Sequence, residues 1–81
     1  MLTKESLAWL QIYEEIFAVM ICGKDVKRMR TAQHKRLRDA AERATDARMN
    51  ELTTDQKNAA ADVWIQTCAQ AGMMISLDRP E

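Results

Sequence analysis

The chain has 81 residues, 47% of them hydrophobic and 30% charged, with twelve basic and twelve acidic side chains and a formal net charge of zero. That length limits it to one domain, and at this size only roughly 60% of the unfolded surface can be buried, which leaves a thin stability margin. Two cysteines exclude a dense disulfide framework, and the longest apolar run, seven residues at 16–22, is far short of the ~20 that a membrane span needs. The opening residues Met1-Leu2-Thr3-Lys4-Glu5 carry acid early and have no signal-peptide pattern. A soluble, cytoplasmic protein with no membrane partner is expected.

Good helix formers dominate: Ala, Leu, Met, Lys, Arg, Glu and Gln. Only Gly23, Gly72 and Pro80 break the chain strongly. The fold class is therefore all-α, with three helices at about residues 4–22, 26–50 and 54–71 in a single domain over residues 1–81. Residues 1–3 form an N-terminal cap and residues 73–81 a short C-terminal tail, apolar at its start.

The first helix has Thr3 as N-cap, Glu5 in its first turn and Gly23 just beyond its end. At 100° per residue Trp9, Tyr13, Ile16 and Met20 make one line. Leu10, Phe17 and Ile21 flank it on one side, Ile12 and Val19 on the other. The apolar arc is about 200° wide, against the ~100° of one core-facing stripe. The polar strip is Lys4, Gln11, Glu14, Glu15 and Ala18.

The second helix is expected to start at Val26 with Asp25 as N-cap, and to extend ~37 Å. Its thin stripe reads Val26, Met29, Gln33, Leu37, Ala40, Ala44, Ala47. The alanines, Ala44 among them, predict close approach of a neighbouring helix. The third helix opens on a capping box, with Thr53 as N-cap and Gln56 at N3. Its inner face is Ala60, Ala61, Trp64, Cys68 and Ala71, with Asn58, Asp62, Gln66 and Gln70 toward water. The links at 23–25 and 51–52 are short and favour antiparallel neighbours. A long helical hairpin with a third helix, or a three-helix bundle, follows. The surplus apolar surface of the first helix predicts a homodimer. The competing arrangement is a monomer whose residues 73–77 fold back over that helix.

No motif for catalysis is present, so no enzyme is expected. With one histidine and two cysteines a closed four-ligand zinc site would need a carboxylate as its fourth ligand, and neither metal nor cofactor is expected. Neither cysteine belongs to a dense framework, so two reduced thiols with Cys68 buried are expected rather than a Cys22–Cys68 disulfide. His34 reads as an exposed side chain on a charged helix face rather than a general base or pH switch.

Charge is segregated. Residues 24–38 hold seven basic side chains and one acid, a local charge of +6; residues 39–62 hold six acids and three bases, a local charge of −3. The basic patch comprises Lys27, Arg28, Arg30, Lys35, Arg36 and Arg38, with Lys24 beside it. It suits an acidic protein surface, a nucleic-acid backbone, or the acidic half of a neighbouring subunit. Zero net charge and the lack of an aromatic residue among the basic ones argue against nucleic acid. Met73, Met74 and Ile75, together with Leu10, Tyr13, Phe17, Met20 and Ile21, form the candidate apolar contact set for a protein partner or a second copy. The chain thus reads as a small helical regulator or inhibitor that binds a larger protein. By broad analogy alone, such chains occur as phage and plasmid accessory proteins. The alternative is a small nucleic-acid-binding regulator that uses the second helix.

Overall fold

The structure, a computed structural model, describes residues 2–72. Within them the protein is helical, with α1 (Lys4–Ile21), a 3-10 turn (Val26–Arg28), α2 (Thr31–Glu51) and α3 (Thr54–Gln70).

Helix ends follow local chemistry. The Thr3 hydroxyl accepts from Ser6 N–H at 3.1 Å and opens α1. Gly23, at φ +77°, lets the chain turn away after Cys22, and Lys24 N–H donates back to the Ile21 carbonyl at 2.9 Å. Both halves of the Thr53–Gln56 capping box form: Gln56 N–H donates to Thr53 Oγ1 at 3.2 Å and Thr53 N–H to Gln56 Oε1 at 2.9 Å. Gly72, at φ +79°, follows the end of α3.

The start of α2 differs from expectation. The helix begins at Thr31 rather than Val26, and Asp25 is not its N-cap. The Asp25 carboxylate instead meets the Arg28 guanidinium at 3.3 Å across the 3-10 turn. A helix begun at Val26 would hold Lys27 and Arg28 in its first turn, against the positive end of the dipole. The later start leaves both outside. Arg30 is the N-cap, but its side chain has no acceptor. Only the reciprocal half of a capping box exists there, with Arg30 N–H donating to Gln33 Oε1 at 3.3 Å.

The phase of α2 also differs. Ala41, Thr45 and Met49 are buried, with His34 and Leu37 half-buried, whereas Ala40, Ala44 and Ala47 are exposed. The inner face is turned by about one residue, or ~100°, from the expected stripe. The expected stripe was anchored on Val26 and Met29, which lie ahead of the helix. Thr45 is no part of that stripe, yet it is buried. That hydroxyl is accommodated because it donates to the Ala41 carbonyl at 2.6 Å, within its own helix.

The core cluster is Leu7, Ala8 and Ile12 of α1, Met49 of α2 and Ala61 of α3. Trp9, Leu10, Ile16, Leu52, Ala60, Trp64 and Ile65 pack around it. On α1 the deepest residues are thus Leu7, Ala8 and Ile12, and the line Trp9–Tyr13–Ile16–Met20 is only half-buried. The reason is topological. Two helices lean on α1 from different sides, and α2 and α3 have almost no direct interface with each other. On α3, Ala61 and Cys68 are buried and Ala60 and Trp64 half-buried, as the pattern implied; Ala71 is exposed past the helix end and Asn58 is half-buried. Lys57 Nζ reaches Glu5 Oε1 at 3.2 Å and ties α3 to α1 at the surface.

Candidate interaction surface

Helices α1 and α2 run antiparallel: Trp9, near the start of α1, meets Asp46 in the later part of α2, and Phe17 meets His34 near the start of α2. Spacing by four residues stacks side chains along one helix flank. Trp9 and Tyr13 stack with ring centroids 5.1 Å apart and planes 13° from parallel. Tyr13 and Phe17 continue at 5.7 Å and 9°. His34 closes the row edge-on to Phe17 at 6.0 Å and 76°. At the other end the Trp9 indole Nε1–H donates to Asp46 Oδ1 at 2.7 Å, a hydrogen bond strengthened by the carboxylate charge. His34 is therefore half-buried against an aromatic ring, contrary to the exposed position expected of it. The edge of an imidazole on a phenyl ring is favourable, and the phase of α2 places it there.

Leu10, Tyr13, Phe17, Met20 and Ile21 are each half-buried, and Val19 on the same helix is 76% exposed. The wide apolar arc of α1 is thus covered in part by α2 and α3 and left open in part. Beyond Ile12, α1 has no further residue in the buried core. Clefts open beside it, one of about 540 Å³ with Leu2, Trp9, Leu10 and Met49 in its walls, and one of about 370 Å³ between Ile12 and Ile16 of α1 and Ala59 and Ala60 of α3. Met73, Met74 and Ile75 lie outside the described residues.

The basic residues do not share one helix face. Lys27 and Arg28 sit in the 3-10 turn and Arg30 at the N-cap, while Lys35, Arg36 and Arg38 follow within the first turns of α2. All six are exposed, as is Lys24. At 100° per residue, Arg36 points away from Lys35 and Arg38. They crown the end of the α1–α2 hairpin instead of striping α2. Below them a cleft of about 490 Å³ is lined by Lys24, Asp25, Met29, Gln33, Arg36 and Leu37. Nothing in the sequence pattern revealed it, because it joins the link before α2 to a face of α2 assigned to the core.

Both cysteines are free thiols, Cys22 exposed and Cys68 buried. Among the described residues no three His, Cys, Asp or Glu side chains gather at metal-binding distance, and no helix is long and apolar enough to cross a membrane. Comparisons of the chain with known protein families, with curated proteins and with solved structures return no match.

Proposed function

We propose that this is a non-enzymatic protein–protein interaction module, a small helical regulator that grips a larger protein or a second copy of itself through α1. One observation carries this reading. The large apolar side chains of α1 outnumber those its neighbours bury: Leu7 and Ile12 are in the core, while Tyr13, Phe17, Met20 and Ile21 remain half-exposed and Val19 largely exposed. Two of them, Tyr13 and Phe17, are rigid aromatic rings held in a fixed row, the residue type that anchors interfaces at low entropic cost. The exposed cations at the hairpin end then act on encounter rate and orientation more than on final affinity.

The test is sedimentation of the whole chain over a concentration series, paired with capture of partners from a cognate extract. Wild type is expected to sediment toward twice its 9.3 kDa mass as concentration rises. Phe17→Glu and Val19→Glu are expected to keep it monomeric and to lose captured protein. Val19 is nearly free of intramolecular packing, so its variant separates loss of binding from loss of fold. A monomer at all concentrations removes the dimer. Equal capture by wild type and both variants removes the α1 surface.

A second reading, nucleic-acid binding, is favoured by the exposure of all seven cations in residues 24–38. Retention on DNA or RNA that falls steeply with salt, in proportion to phosphates neutralised, would support it. No retention at low salt ends it.

A further inference from the structure

We infer that the cleft beneath the basic crown takes an acidic peptide segment with an apolar anchor. The inference rests on the reading of the protein as a binding module and names the chemistry of one partner segment. The cleft has two parts of different character. Met29 and Leu37, both half-buried, supply an apolar floor, and Lys24 and Arg36 stand exposed at its walls. Lys27, Arg28, Arg30 and Lys35 lie within a few residues of these walls and are also exposed. The one acid in the lining, Asp25, is already engaged by Arg28 at 3.3 Å. An occupant of this space meets positive charge around an apolar centre, so complementarity calls for carboxylates flanking a leucine- or methionine-like side chain.

The same observations select a peptide over a nucleic acid. Among the described residues no aromatic side chain lines the cleft to stack a base. A floor of Met29 and Leu37 has nothing to offer a sugar-phosphate chain and suits an aliphatic side chain.

The experiment uses the full chain and a fluorescein-labelled glutamate-rich peptide that carries one central pair of leucines. Its comparators are the analogue with lysine for glutamate, the analogue with serine for leucine, and a labelled DNA duplex. Anisotropy gives affinity, and amide chemical shifts locate the site. The acidic peptide is expected to bind, with shifts confined to residues around Met29, Gln33 and Leu37. Arg36→Glu and Met29→Ser should each weaken it roughly tenfold, and both should melt like wild type, since Arg36 is exposed and Met29 lies outside the helices.

Absence of binding, equal binding of the lysine or serine analogue, displacement by the DNA duplex, or shifts elsewhere would each overturn the inference. Val19 does not line the cleft. Loss of self-association in Val19→Glu with peptide binding kept therefore concerns α1 alone. Loss of peptide binding in Arg36→Glu with self-association kept concerns the cleft alone.

Discussion

Among the described residues Thr45 and Leu7 are the largest side chains with no exposed surface, and a hydroxyl is tolerated at the first because a carbonyl one turn back accepts its hydrogen bond. Polarity is therefore a poor guide to burial where a short side chain can satisfy itself locally. The alanines of α2 teach the converse. Ala41 has no exposed surface, while Ala40, Ala44 and Ala47 face outward, and composition alone does not tell them apart, since alanine serves equally as a close-packing residue and as the best helix former on an exposed face. Substitution separates the two roles. Ala41→Leu should destabilise by about 1–3 kcal/mol through overpacking, and Ala44→Leu should stay within about 0.5 kcal/mol of wild type. Thermal melts of the pair decide it. Overlaying curves would mean that the inner face of α2 lies elsewhere.

At the scale of elements, termini carry more information than faces. The boundaries of α1 and α3 were legible to within a residue because Thr3, Gly23, Thr53 and Gly72 each do a local geometric job that no distant contact alters. Two predictions rest on those jobs. Thr53→Ala, which removes the acceptor of the Gln56 N–H, should cost about 1 kcal/mol. Gly23→Ala should cost about 1 kcal/mol too, though a Cβ there meets nothing within 4 Å. Its cost comes from the positive φ alone, so Gly23→Asn should recover part of it. Urea titrations of the three variants check both.

The start of α2 was not legible. Asp25 followed by Val26 has the form of a cap and a first turn, and the choice of Arg28 as the partner of Asp25 depends on where the chain must go next. The candidate surface was legible in part. The spacing of Trp9, Tyr13 and Phe17 announces a row on one flank, but that His34 and Asp46 would close its ends depends on the register between two helices. The grouping of cations at the hairpin end was visible as a run in the chain. Their spread around the end was not, because it follows from the late start of α2.

For the molecule as a whole, α1 is the shared support. Leu7 is fully buried in the cluster that joins α1 to Met49 and Ala61. Leu7→Ala should cost about 2–5 kcal/mol, a large share of the about 4–12 kcal/mol expected for a chain of this length. The loss should appear as one cooperative shift in a urea titration followed by helical dichroism, since neither α2 nor α3 has the other to fall back on. A shift of under about 0.5 kcal/mol would show that the cluster is not the core. The same dependence has a consequence for biosynthesis. Glu5 and Lys57 are 52 residues apart in the chain, and chains emerge N-terminus first. The earliest of the three helices to leave the ribosome is thus the last to be fully escorted, and until α3 arrives Ile12 and Ile16 travel without their neighbours Ala59 and Ala60. Nascent chains halted before α3 should engage ribosome-associated chaperones more strongly than released ones.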